Sequence, residues 1–130
     1  MINNNKVFLG GACTSNWRKD LIPLLEIDYF NPIVEEWSED LRLVVEKEKE
    51  FECDIHLYMI DSTMTGKYTF LEIGVSLMKN NIITIVQINP DNFTNKELDN
   101  MEAILNLVAE NKGIGYFDDG LEYLATILNN

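Results

Sequence analysis

The chain has 130 residues, the length of one domain, and 46% of them are hydrophobic, which is enough for a packed core. Its 22 acidic against 10 basic residues give a net charge of −12, which argues against a nucleic-acid backbone or an anionic membrane surface as partner. No apolar run approaches the roughly 20 residues of a membrane span, no signal peptide is visible, and the two cysteines have neither disulfide-framework nor metal spacing. We therefore expect a single-domain cytoplasmic protein without metal or cofactor.

Short apolar runs recur along the chain, and each is typical of a buried parallel strand. They predict strands at residues 6–9, 27–31, 54–60, 82–88 and 114–117. The segments between and after them carry apolar residues at helical spacing, several behind a Ser, Thr, Asn or Asp that can cap a helix. They predict helices over about residues 17–25, 38–51, 68–79, 94–111 and 118–128.

This alternation of strands and helices predicts an α/β fold with a doubly wound, five-stranded parallel sheet. We expect the flavodoxin-like, Rossmann-like strand order 2-1-3-4-5, whose switch point lies between the first and third strands. The loops at residues 10–16 and 61–68 should then meet over one crevice.

The first of these loops begins with Gly10 and Gly11 and leads into a helix through the residues ACTSN. A glycine turn before a helix N-terminus can form an anion-sized or ribose-sized pocket, or be only a tight strand-to-helix turn. The loop lacks both the dinucleotide fingerprint and the phosphate-loop motif. Asn31, at the end of the second strand, can face the same cleft.

Glu72 falls near the first turn of the helix that follows the third strand. An acid there is ordinary, because the helix N-terminus carries partial positive charge. The position is also the mouth of an open α/β sheet, where such folds bind ligands. Glu72 is therefore either a surface acid or a catalytic nucleophile or base.

The segment TFLEIGVSLMKNNIITIVQINPD resembles the nucleoside 2-deoxyribosyltransferase superfamily. Its members have a small residue, two further residues and then Glu-Leu/Ile-Gly at a helix start, which correspond here to Thr69 and residues 72–74, and a buried strand follows. Cys53-Asp54 before a strand, the opening KVFLGG, and Asn31-Pro32 followed by Trp37 are similar to the branch called nucleoside 2-deoxyribosyltransferase-like. The resemblance covers roughly residues 6–90.

The resemblance implies that Glu72 attacks the anomeric carbon of a nucleoside or nucleotide, as in retaining glycoside hydrolysis. It also implies substrate contacts for residues of the two loops and nearby elements, an acid that assists the base, and a homo-oligomer whose neighbours close the site. The implied substrate-binding residues are Gly10, Gly11, Trp17, Asn31, Gly66 and Thr69, and the implied assisting acid is Glu46. Trp17 can stack on a base or simply pack in the core.

One departure concerns the carboxylate that typical transferases carry six residues before the nucleophile, where this chain has Gly66. Asp61 can reach the site from the strand end but does not align with that position. Transfer, hydrolysis of an N-glycosidic bond, and binding without turnover therefore all stay open.

A nucleoside 5′-monophosphate hydrolase would need phosphate donors, which hydroxyl and basic side chains of the two loops can supply. These are Thr14, Ser15, Arg18, Ser62, Thr63, Thr65 and Lys67. A non-catalytic nucleotide-binding module is a further alternative. A flavodoxin-like electron carrier fits less well, because the first loop lacks a flavin-phosphate cradle.

Three other groups of residues are predicted to be structural. His56 alternates with apolar residues in the third strand, which indicates a packed or partner-bonded histidine. Cys13 has no histidine partner in view, and Cys53 precedes a buried strand. The stretch EKEKEFE indicates a mostly solvated helix face.

Overall fold

A computed structural model of the chain describes residues 5–33, 36, 38–64, 68–118 and 120–130. Several residues that the sequence points to lie outside this range. They are Trp37, Thr65, Gly66 and Lys67.

The described residues contain five strands, which form one sheet. The strands are β1 (Lys6–Gly11), β2 (Asp28–Phe30), β3 (Ile55–Ile60), β4 (Ile83–Ile88) and β5 (Ile114–Phe117). Their order is β2-β1-β3-β4-β5 and every neighbouring pair is parallel, so the predicted sheet and strand order are confirmed.

A helix follows each strand, as predicted. They are α1 (Trp17–Leu21), α2 (Glu39–Lys47), α3 (Tyr68–Leu77), α4 (Asn95–Glu110) and α5 (Gly120–Asn129). A 3₁₀ turn, Ile22–Leu24, continues α1, and a π-helical segment, Glu48–Glu52, continues α2. The predicted caps are confirmed for two of them: the Ser38 side chain accepts from the Leu41 amide, and Thr94 forms a capping box with Glu97. None of these helices in the described chain is long and apolar enough to cross a bilayer.

Side chains alternate between the two faces of the sheet and build a hydrophobic layer on each. Leu57, Met59 and Ile85 pack on one face in a layer that includes residues of α1 and α5. Tyr58 and Val86 pack on the opposite face, in a layer that includes residues of α3 and α4. Any side chain near the strand ends therefore belongs to one face or the other.

Gly11 explains why β1 extends past Leu9, where the sequence predicts its end. Its φ is +101°, and a Cβ placed on it would lie 2.3 Å from the Met59 carbonyl oxygen of β3. Only glycine tolerates both the positive φ and this close backbone approach. The glycine thus continues the strand and does not end it.

Candidate active site

Glu72 lies on α3 and forms an ion pair with a lysine from the segment after α2. Its Oε2 is 2.7 Å from Lys49 Nζ, and the two side chains are only 17% and 14% exposed. The same Nζ is 3.7 Å from Oε1 of Glu46, whose side chain is 42% exposed. The lysine therefore brings the predicted nucleophile and the predicted assisting acid to one place.

Lys49 reaches Glu72 from the π-helical segment Glu48–Glu52. Such segments change the register of a helix and are frequent at functional sites. Here the Lys49 backbone carbonyl accepts a 2.8 Å hydrogen bond from His56 Nε2, and Lys49 Nζ lies 5.3 Å from the centroid of the Phe8 ring. The sequence predicts a mostly solvated helix face for this stretch, and Lys49 is an exception because its side chain is mostly buried.

His56 is buried beneath this ion pair and is bonded at both ring nitrogens, as predicted. Because a carbonyl can only accept, Nε2 carries the proton, and Nδ1 accepts from Ser76 Oγ at 3.1 Å. Ser76 Oγ also lies 2.6 Å from Thr84 Oγ1. Burial lowers the pKa of His56 to about 4, so the imidazole is neutral at physiological pH.

A cavity of about 130 Å³ opens beside Glu72, and we call it the Glu72 cavity. Its lining consists of Lys49, His56, Tyr58, Tyr68, Leu71, Glu72, Val75, Ser76 and Lys79. Burial, and then the charge of Glu72, raise the pKa of Tyr58, so its phenol stays protonated. The cavity therefore combines an ion-paired carboxylate with neutral hydroxyl groups and aromatic walls.

The two loops of the predicted crevice do meet, and Asp61 joins them. Its Oδ2 accepts from Ser15 Oγ of the first loop at 2.5 Å, and its Oδ1 accepts from the Thr63 amide at 2.9 Å and from the Thr63 hydroxyl. Thr14 Oγ1 donates to the Thr63 carbonyl at 3.2 Å. Asp61 is buried by these contacts.

Asp61 belongs to a second cavity, of about 340 Å³, which we call the aspartate cavity. Its lining consists of Ser15, Asn16, Trp17, Asp20, Met59, Asp61, Gln87, Ile88, Asn89, Asp91, Asp118, Gly120 and Leu121. Met59 and Trp17 pack in the layer with α1 and α5, whereas Tyr58 of the Glu72 cavity packs in the other layer. The predicted single crevice is thus two cavities on opposite faces of the sheet, and Asp61 and Glu72 line different ones.

The remaining predicted substrate contacts are spread over both faces. A Cβ on Gly10 would lie 2.7 Å from the Tyr58 ring, so this glycine makes room for a residue that lines the Glu72 cavity. Trp17 is buried, donates from Nε1 to the Ala12 carbonyl at 2.8 Å, and lines the aspartate cavity. Asn31 lines a separate surface pocket beside the first loop. Thr69 is buried on α3.

Arg18 faces inward and braces the first loop. Nε donates to the Leu9 carbonyl at 2.8 Å, Nη1 to the Ala12 carbonyl at 2.6 Å and Nη2 to the Gly11 carbonyl at 3.4 Å. Burial lowers the pKa of this guanidinium to about 10. Three of its five donors are thus used within the protein, and the Thr14, Ser15 and Thr63 hydroxyls are also engaged between the loops.

The cysteines and potential metal ligands form no reactive cluster in the described chain. Within the described ranges, no group of three or more His, Cys, Asp and Glu side chains is placed to hold a metal ion. Cys13 is exposed, whereas Cys53 is buried, and burial raises the pKa of the Cys53 thiol to about 12.

Fold and site together define an α/β protein with an ion-paired carboxylate on α3, beside a parallel sheet, and the comparisons identify its family. Residues 4–90 match the family model described as nucleoside 2-deoxyribosyltransferase like. Because this match covers more than half of the 130 residues, the chain belongs to that family.

A solved structure has the same fold. The crystal structure of a conserved protein from Enterococcus faecalis V583 is similar with a TM-score of 0.56 and 16% identity, over 95% of this chain and 96% of that chain. No curated protein sequence matches the chain.

Proposed function

We propose that the protein cleaves the N-glycosidic bond of a nucleoside, with Glu72 as the nucleophile. The observation that carries this proposal is the 2.7 Å contact between the Glu72 carboxylate and Lys49 in the wall of the Glu72 cavity. The lysine fixes the carboxylate in one orientation, and an oriented carboxylate oxygen is what attack on an anomeric carbon requires. Membership of the nucleoside 2-deoxyribosyltransferase-like family supports the same chemistry.

The reaction has two steps. A Glu72 oxygen forms a bond to C1′ of the sugar while the C1′–N bond breaks, and the base leaves with that electron pair and takes up a proton. Water or a second base then attacks C1′ of the glycosyl-enzyme ester and restores the Glu72 carboxylate. Water gives hydrolysis and a second base gives transfer.

The other residues have supporting roles in this proposal. Glu46 lies 3.7 Å from the same Lys49 Nζ that contacts Glu72, so it is the candidate residue to assist the leaving base. Asp61 lines the other cavity and holds the two loops together. Gly10 provides space for Tyr58 at the cavity wall.

A nucleoside is the favoured substrate over a 5′-monophosphate. Arg18, Ser15 and Thr63, which were candidate phosphate donors, already bond to groups of the protein. Binding of a phosphate by them would cost those contacts. The monophosphate stays in the test because Thr65 and Lys67 lie outside the described residues.

The size of the Glu72 cavity suggests that a second copy of the chain completes the site. Its volume of about 130 Å³ is below the roughly 300–1,000 Å³ of typical ligand pockets, so it accommodates the sugar rather than the whole nucleoside. Tyr68 and Leu71 at its edge are 67% and 64% exposed, and such apolar side chains are available to a neighbouring subunit. We therefore propose a homo-oligomer, to be checked by light scattering on the assayed samples.

The test is release of free base from a panel of nucleosides and 5′-monophosphates, followed by chromatography. We expect Glu72→Gln to lower the rate by at least about 10³-fold, because the reacting group itself is removed. Glu48→Gln is the matched control, since Glu48 pairs with Lys6 at 2.8 Å outside the cavity lining. Its rate should stay near that of the wild type.

A trapping experiment separates the nucleophile from a merely structural glutamate. A 2-fluoro nucleoside should add the mass of its sugar to the peptide that contains Glu72, and added acceptor base should then distinguish transfer from hydrolysis. Full activity of a folded Glu72→Gln variant, or no base release from any substrate in the panel, would exclude the proposal and favour a binding module.

A further inference from the structure

The aspartate cavity contains a buried polar atom that the protein leaves unsatisfied. Gln87 of β4 is 3% exposed, and its Oε1 has no hydrogen-bond partner among the described residues. Leaving a buried acceptor unpaired is unfavourable, and native proteins seldom do so without a reason. An unpaired acceptor in a cavity wall indicates a place for a hydrogen-bond donor.

The position of Gln87 in the sheet directs its side chain into this cavity. In the parallel register Gln87 lies beside Met59 of β3 and Tyr116 of β5. Both neighbours pack in the layer with α1 and α5, where the aspartate cavity lies. Gln87 is itself part of the cavity lining.

The rest of the lining is strongly acidic. Four carboxylates surround the space, those of Asp20, Asp61, Asp91 and Asp118, and no lysine or arginine is among the described lining residues. Asp61 already accepts from Ser15 and Thr63, so it contributes mainly charge. The cavity thus presents acceptors and negative charge to any occupant, which favours a cation with donor groups.

The occupant is not a bare metal ion, because the carboxylates do not converge. The described residues contain no group of three or more His, Cys, Asp and Glu side chains placed around one point. A volume of about 340 Å³ is within the range of small-molecule pockets. An organic frame can carry several N–H donors to acceptors that lie apart.

We propose that the aspartate cavity binds a small organic cation with amino or guanidino N–H groups. One such group donates to Gln87 Oε1, and the positive charge is balanced by the aspartates, chiefly Asp20 and Asp118. This site lies on the face of the sheet opposite to Glu72, and its occupancy is measured without turnover. Its test is therefore independent of the proposed glycosidic chemistry.

Isothermal titration calorimetry of the full chain tests the proposal with four probes at an ionic strength of about 0.15 M, where exposed charges are screened. Putrescine and agmatine should each bind at one site per chain. 1,4-Butanediol matches putrescine in length without its charge and should not bind. Choline carries the charge without an N–H donor and should bind at least about tenfold more weakly, since charge-assisted hydrogen bonds provide the difference.

Variants identify the residues responsible. Asp118→Asn and Gln87→Leu should each weaken putrescine binding at least about tenfold. Asp118 has a φ of +57°, which asparagine tolerates, so this variant should fold even if Gln87→Leu does not. Asp99→Asn on α4 removes the same charge at an exposed position outside the lining, and binding should be unchanged.

Two results would overturn the proposal. Absence of saturable heat with putrescine and agmatine would mean that Gln87 is satisfied by water only. Equal binding of choline and putrescine, with Asp99→Asn as damaging as Asp118→Asn, would mean that the cations form only a counterion atmosphere around a chain of net charge −12.

Discussion

The Glu72 cavity and the aspartate cavity lie on opposite faces of one sheet and differ in how their carboxylates are paired. In the first, Glu72 is paired with Lys49 at 2.7 Å, and the buried His56 next to them is neutral. In the second, four aspartates line the space and the acceptor of Gln87 is unpaired. Under the two proposals, the ion-paired Glu72 acts on a neutral nucleoside, whereas the acidic lining of the aspartate cavity attracts a cationic ligand.

The largest effect on stability is expected at His56, which distinguishes the Glu72 cavity as a site with a neutral base. Its pKa is lowered from 6.5 to about 4 in the folded state, so the unfolded chain binds the extra proton first. Stability from this residue is complete above about pH 6.5 and is lost as the pH falls towards 4, by about 3 kcal/mol.

The measurement is urea unfolding at a series of pH values for the wild type and His56→Gln. Gln keeps a donor for the Lys49 carbonyl and an acceptor for Ser76 but does not titrate. Between pH 7 and pH 4 the free energy of unfolding should fall by about 3 kcal/mol more for the wild type than for the variant. The pH dependence caused by carboxylates is the same in both proteins and cancels in this difference. If the free energy of unfolding of both proteins changed equally with pH, His56 would not be held neutral in the folded state.

The second prediction compares two ion pairs of different burial. Lys49→Met should lower the free energy of unfolding by about 2 kcal/mol, because it leaves the mostly buried Glu72 carboxylate without its cation. In a double-mutant cycle with Glu72→Gln, the coupling energy between Lys49 and Glu72 should account for most of that loss of stability. The same cycle on Lys6 and Glu48, whose side chains are 26% and 25% exposed, should give below about 1 kcal/mol. Equal couplings would remove the distinction between the two pairs.

The smallest effect is expected for Asp61→Asn at the aspartate cavity. Asparagine retains one acceptor but loses the charge that strengthens the bonds from Ser15 and Thr63, which should cost about 1 kcal/mol. Amide hydrogen exchange should become faster at Thr63, while the amide of Leu57, in the core of β3, keeps its protection relative to global stability. Unchanged exchange at Thr63 would show that Asp61 does not hold the loops.

The sequence was sufficient to predict nearly every element, because the apolar runs and helix caps are local signals. The alternation of these strands and helices then led to the sheet order. Ser38 and Thr94 cap their helices where expected. Lys49 was missed, since the sequence gives no sign of the π-helical segment that turns it towards Glu72. The loop of Gly66 lies outside the described residues, so the role expected there stays a prediction.

The separation of the two cavities is the part that could have been derived from the sequence but was not. Alternation along β3 places His56 and Tyr58 on one face and Met59 on the other. Applied beyond the strand end, the same rule predicts that Asp61 shares the face of Met59. The unpaired oxygen of Gln87 had no such signal, because hydrogen-bond partners depend on tertiary packing.

The sequence positions of the lining residues also determine how early in synthesis the chain contains each cavity wall. The described residues that line the Glu72 cavity all lie between Lys49 and Lys79 in the sequence. The aspartate cavity draws on residues from Ser15 to Leu121, since its wall includes the start of α5. A nascent chain synthesised as far as Lys79 therefore contains the described wall residues of the first cavity, whereas the second lacks part of its wall until Leu121 has been added.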